Sequence, residues 1–204
     1  MGSTSGRRVG RPRAEQRPDS GLSARDELLL AAAELFTTKG YAATTTRAVA
    51  ERAGMRQATM YHYFGGKEDL LAELLESTVT PSLAVARALL ADDARPAEER
   101  LRELCRSDVE LLCGGPHNLG VLYVLPEVRS SERFAGFHRV REDLKDAYGQ
   151  LVAATRAGAG LDKEELGVRT DLVFGLIEGV ILVGRADEGF PPAVADAALR
   201  IVGV

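Results

Sequence analysis

The sequence predicts an all-α chain, on three observations. Apolar side chains recur at helical spacing, as in Leu28, Ala32, Leu35 and Phe36 or Leu70, Leu71, Leu74 and Leu75, which gathers them on one face of a helix. No stretch alternates polar and apolar residues as a half-buried strand does. Glycine and proline signals stand between the periodic stretches: Pro81, Pro96, Gly114-Gly115-Pro116, Gly158-Ala159-Gly160 and Pro191-Pro192. With 204 residues, 45% of them hydrophobic, the chain can bury one large core or two small ones.

Residues 1–21 are rich in Gly, Ser, Pro and Arg and have almost nothing to bury, so they read as a disordered basic arm. Within it, Gly10-Arg11-Pro12-Arg13 looks like the core of an AT-hook, whose arginines enter a narrow minor groove. A solvated tail is the other reading of Arg11 and Arg13. The arm has no apolar stretch of the kind a signal peptide needs. A first helix should start after Ser23, with Asp26 as a capping-box partner, and stop at Gly40.

Residues 44–67 hold two short helical patterns around a sharp turn. The first spans about 46–53 and turns Val49, Ala50 and Ala53 inward; Gly54 then ends it, because glycine takes the left-handed conformation at least cost. The second spans about 57–64, burying Met60 and Phe64 and presenting Arg56, Gln57, Thr59, Tyr61 and Tyr63. Such a unit is a helix-turn-helix, with the second helix placed to enter a DNA major groove. Donors and phenols on that face suit phosphates and base edges.

Gly40-Tyr41 with Thr44-Thr45, Val49-Ala50-Glu51-Arg52-Ala53-Gly54, Thr59-Met60-Tyr61-His62-Tyr63-Phe64, and Lys67 with Leu70 and Leu71 resemble the TetR family of bacterial transcription regulators. The likeness covers about the first third of the structured chain. It implies a three-helix DNA-binding domain, here residues 22–68, followed by a helical ligand-binding and dimerisation domain, residues 69–204. Two positions depart from the family pattern. Ala48 replaces the usual acidic capping partner, leaving Thr45 to cap its helix alone. Arg56 replaces the usual capping serine and offers the groove a long cation instead. Arg56 and Gln57 are the expected base readers. Arg47, Thr59, Tyr61 and Lys67 are the expected phosphate contacts, Tyr63 joins the DNA face, and Thr45 adds its hydroxyl.

Charge divides along the same line. Residues 1–67 contain eleven basic and six acidic side chains, a net of +5, whereas residues 68–204 contain fifteen and twenty-four, a net of −9. The positive excess lies on the part that would meet a polyanion.

From Pro81 on, helices are expected at about 82–93, 97–113, 118–127, 131–157, 162–187 and 192–202. Several carry a polar residue inside an apolar stripe: Asp108, Arg141 and Glu178. A buried charge is costly alone, so each must pair, reach water or meet a ligand. Together with Tyr123, Phe137, His138, Tyr148 and Phe174 they form the expected lining of a small-molecule effector site; structural ion pairs are the alternative. On 162–187, Gly175 and Gly179 permit close backbone approach beside Leu172, Leu176, Val180 and Val183. Val194, Ala198 and Ile201 give the last helix a small-residue face. The family resemblance implies a homodimer formed by an intermolecular four-helix bundle; the core of a monomer is the other use of these faces.

His62, His117 and His138 show no metal spacing with Cys105 or Cys113, and no nucleophile-base pair can be assembled. No metal, cofactor, enzymatic activity or membrane partner is expected. The two cysteines are too far apart along a helix to bridge, which suits the cytoplasm. The expectation is a cytoplasmic, homodimeric repressor that binds a palindromic double-stranded operator and is released by a small molecule. The alternative is a helical small-molecule-binding or enzymatic protein without specific DNA binding.

Overall fold

A computed structural model describes residues 21–184 and 187–204; Arg11 and Arg13 of the basic arm lie outside them. The described residues hold helices and turns and no strand. Helix α1 (Ala24–Thr38) is capped by Ser23, whose hydroxyl accepts from the Asp26 amide. It buries Leu28, Ala32, Leu35 and Phe36 on the expected face. Helices α2 (Thr46–Arg52) and α3 (Gln57–Met60) follow, and α4 runs from Lys67 to Leu90.

α4 overturns the expected break at Pro81, since the helix passes through it without interruption. An interior proline costs roughly 3 kcal/mol. Here its ring lies on the exposed side, and the apolar stripe continues through Leu83, Ala86 and Leu89, so burial on both sides outweighs the lost hydrogen bond. The stripe divides at that point. Leu70 to Val79 belong to a core shared with α1 to α3, and Leu83 to Leu89 belong to a second core built with the remaining long helices. One rigid element thus runs through both cores.

Helix α5 (Ala97–Gly114) matches its expected span. The expected helix at 118–127 is instead a 3-10 segment, Leu119–Val124, and a five-residue α6, Pro126–Ser130. Asn118 fixes that segment by donating to the Ile181 carbonyl at 2.6 Å. Gly120 lies so close to Ile181 that a Cβ there would stand 2.3 Å from a methyl carbon. Close packing, not local periodicity, sets the backbone here. A further 3-10 turn, Glu132–Phe134, leads into α7 (Ala135–Ala154). Helix α8 (Lys163–Val183) is capped by Asp162 and stops four residues before the expected 187, with Gly184 at φ +66° as its C-cap. Helix α9 (Phe190–Val202) takes Pro191 and Pro192 into its first turn, where a missing N–H costs nothing. α4 lies along α7, and α5 along α9.

Candidate nucleic-acid interface and internal cavity

The turn between α2 and α3 forms as its residues require. Thr45 accepts from the Ala48 amide at 3.1 Å, Gly54 adopts φ +71°, and the Met55 amide returns to the Ala50 carbonyl at 2.8 Å. Arg56 precedes α3 without capping it. The helix is shorter than the expected 57–64. After Tyr61 bonds back to Gln57, the next amides reach only three residues back, His62 to Thr59 at 3.1 Å and Tyr63 to Met60 at 2.9 Å. With no side-chain cap and six residues between its end and the next helix start, burial of Met60 and Phe64 holds the segment.

On its outer side Arg56, Gln57, Tyr61 and Tyr63 are exposed, whereas Thr59 is half-buried. Gln57 Nε2 donates to Thr46 Oγ1 at 3.0 Å, and the Thr46 and Tyr61 hydroxyls lie 3.2 Å apart. Thr46, which sequence reasoning passed over, therefore orients both reading side chains; its place at the start of α2 facing α3 could have suggested this. Arg56 has no ion-pair partner among the described residues. Arg47 holds Glu51 at 2.8 Å, with both side chains mostly in water, a pair of small net value that a phosphate can displace.

Lys67 has a role the sequence did not disclose. Its Nζ donates to the Tyr41 carbonyl at 2.8 Å and sits 4.2 Å from the centre of the Tyr41 ring. The lysine thus anchors the Gly40–Tyr41 turn onto the start of α4. Burial first, then the charges of Glu68 and Glu127, push the Tyr41 phenol up to about 12, so it stays protonated.

Behind this unit the expected effector residues separate into two adjoining spaces. Tyr123, Phe137, His138, Arg141 and Glu178 line a cavity of about 380 Å³, together with Arg129 and Ile181. Asp108 and Phe174 line a much smaller one that shares Tyr123 and Glu178 with it. Arg141 forms a bidentate pair with Glu178 and lies over the Phe174 ring, 5.1 Å from its centre. His138 Nε2 donates to the Val128 carbonyl at 2.8 Å, fixing α6 as one wall. Tyr148 lines neither space. It is fully buried, and its hydroxyl donates to Asp108 Oδ2 at 2.8 Å. Among the described residues, Asp108 therefore pairs with neither Arg141 nor any other cation. Its burial pushes the carboxyl up to about 6, with Ser82 and Tyr148 drawing it back. Ser82 escaped sequence reasoning because a helix break was expected at Pro81, and Thr78 because nothing in the sequence marks the Tyr123 hydroxyl 45 residues away as its partner.

The expected dimer residues also divide. Val180, Val194 and Ala198 fill the chain's own second core and are buried within the single copy, which leaves them no surface for a partner. Leu172, Gly175 and Val183 are exposed, and Leu176, Gly179 and Ile201 are half-exposed. Val168 and Leu182, the latter 80% exposed, complete a stripe at 168, 172, 175, 179 and 182 whose steps of four and three residues make a heptad seam.

A family profile described as "Bacterial regulatory proteins, tetR family" matches residues 28–74. The HTH-type transcriptional repressor KstR2 of Mycobacterium tuberculosis is 37% identical over 90 residues, a match that spans 44% of this chain and 44% of that protein, less than half the length of either. The KstR2 protein of Rhodococcus jostii is 28% identical over 69% of this chain and 70% of its own. Among solved structures, Mycobacterium smegmatis AmtR superposes with a TM-score of 0.83 at 42% identity, over 93% of this chain and 90% of that one. A TetR-family regulator from Bordetella parapertussis shares the fold with a TM-score of 0.74 at 21% identity, over 87% of this chain and 93% of that one. With the helix-turn-helix matched by the profile and the likeness to AmtR running nearly end to end, the chain belongs to the tetR family of bacterial regulatory proteins.

Proposed function

We propose that the protein is a DNA-binding transcription repressor that acts in the cytoplasm as a homodimer and leaves its operator when a small molecule fills the cavity behind α4. The observation that carries this is the exposed Arg56–Gln57–Tyr61 face, oriented by Thr46 and set on a net-positive third of an otherwise acidic chain. Residues 22–68 act as the reading unit and residues 69–204 as the effector and dimer unit. Arg56 and Gln57 read base edges. Arg47, Thr59, Tyr61 and Tyr63 meet the backbone, Thr45 adds its hydroxyl, and Lys67 contributes the donors that Tyr41 leaves free.

Two copies meet along the α8 seam, supported by Leu172, Gly175, Leu176, Gly179, Val183 and Ile201. Dimerisation doubles the base contacts that a four-residue helix offers alone. The acidic surface of the rest of the chain disfavours non-specific DNA contact and leaves the basic unit to engage.

Selection of bound duplexes from a random pool tests this. The expected product is a palindrome with half-sites one helical turn apart, retained less as salt rises. No retention of any duplex at low salt overturns the proposal.

A further inference from the structure

The smaller of the two spaces holds a feature that effector binding in general does not explain. Asp108 is 3% exposed, and its Oδ1 has no hydrogen-bond partner. The space beside it, about 20 Å³, is also lined by Thr78, Ser82 and Tyr123 and by apolar groups such as Phe174 and Ile177. It has room for one group the size of a water molecule.

The hydroxyl protons around it are largely committed. Thr78 donates its single proton to the Leu75 carbonyl at 2.6 Å, so in the contact between Thr78 and Tyr123 the phenol is the donor. The Tyr148 proton goes to Asp108 Oδ2. What faces the space is a carboxylate oxygen and hydroxyl lone pairs, with the Ser82 hydroxyl as the one donor left to the carboxyl. Arg141, the cation in the adjoining cavity, is matched by Glu178 through both carboxylate oxygens, so the Asp108 charge stands uncompensated.

An acceptor-rich niche, with one negative charge that no cation matches and the neutral Ser82 hydroxyl as its one donor, suits a compact cationic donor. A carboxylate would add a second negative charge and bring no donor. An alcohol would bring one proton and no charge. A guanidinium is too broad for the volume, whereas the three N–H bonds of an ammonium group fit both charge and size.

We propose that Asp108 receives the protonated amino group of a small primary amine whose body extends past Tyr123 into the 380 Å³ cavity. That this amine is the effector rests on the function proposed above; that the niche binds it does not.

The test uses the full chain near neutral pH with three probes of equal length: n-hexylamine, n-hexanol and hexanoate. Hexylamine at a hundredfold excess over its Kd should raise Tm by roughly 5 °C, with smaller or no shifts from the other two, and Asp108→Asn should abolish the amine's shift. The proposal is overturned by equal shifts from all three probes, by a shift that survives in Asp108→Asn, or by no shift from hexylamine, which would leave the niche to a water molecule. If the variant does not fold, the ranking of the three probes on the natural chain decides alone. Gel shifts with the selected duplex separate the two proposals. A chain that binds DNA but ranks the probes otherwise keeps the repressor and loses the niche, and a chain that binds hexylamine through Asp108 but no duplex does the reverse.

Discussion

The Asp69 carboxylate joins Arg133 to the turn that follows the recognition helix. Its Oδ1 pairs with the Arg133 guanidinium, and its Oδ2 accepts from the Gly65 amide at 2.8 Å. Arg133 sits in the 3-10 turn between α6, a wall of the cavity, and α7, which carries Arg141. A shift of α6 is therefore felt at Gly65 through one side chain. As a partly exposed ion pair, this contact adds at most about 1 kcal/mol to stability. Arg133→Ala should leave Tm almost unchanged while altering operator affinity severalfold. Asp69→Ala, which also frees the Gly65 amide, should weaken binding by roughly tenfold, as expected for loss of a charge-assisted hydrogen bond. Paired thermal melts and fluorescence-anisotropy titrations measure both. Parallel changes in Tm and affinity would reduce the contact to a structural one.

Gln57 and Arg56 separate reading from attraction. Gln57→Ala removes the donor to Thr46 and releases Tyr61, so binding should fall by about 1–3 kcal/mol on the preferred operator and much less on variants changed at one base pair. Arg56→Ala removes a cation with no internal partner, so the slope of log K against log salt should flatten by about one. Titrations over operator variants and salt concentrations check both. Uniform loss across sequences for Gln57→Ala would move it to the backbone contacts.

The sequence made the helix-turn-helix legible because its signals are local: a cap at Thr45, a stop at Gly54 and buried Met60 and Phe64 spaced four apart. What stayed hidden depended on tertiary contact. Lys67 turns to Tyr41 through a contact across 26 residues, and Thr46 faces Gln57 only once α2 and α3 have crossed. The cavity was half legible. A charge within an apolar stripe marked Asp108, Arg141 and Glu178, but not which of them meet. Nor could periodicity separate the inner from the outer face of α8, a helix apolar nearly all round, so Val180 was expected at an interface while it fills the core, and Leu182 was missed.

Leu172, 55% exposed in the single chain, is the second of the five positions of the α8 seam. Leu172→Glu should leave helical content and the fold of each copy intact, because more than half of the residue's surface is already in solvent. Two carboxylates facing each other across a symmetric contact would part the copies. Sedimentation velocity should then show monomer, and operator affinity should fall on the order of 100-fold as the two half-sites lose their linkage. A dimer that persists would move the interface away from α8.

Asp108 should also leave a signature in the pH dependence of stability. Burial pushes its pKa up from 3.8 to about 6, so between those values the folded chain holds a proton that the unfolded chain has released. Stability then falls as pH rises through that window; the cost is absent below it and complete above it. Asp108→Asn keeps the shape and removes the titration. The variant's stability relative to the natural chain should therefore improve from about pH 4 to about pH 7, by on the order of 2 kcal/mol. Urea denaturation at both ends of the window measures the difference. The same titration gives an amine at Asp108 a second readout, since a bound cation stabilises the ionised carboxylate and should flatten the pH dependence of the natural chain while leaving that of Asp108→Asn unmoved. A pH-independent difference between the two chains would mean that water reaches Asp108, and that its unpartnered oxygen carries no penalty.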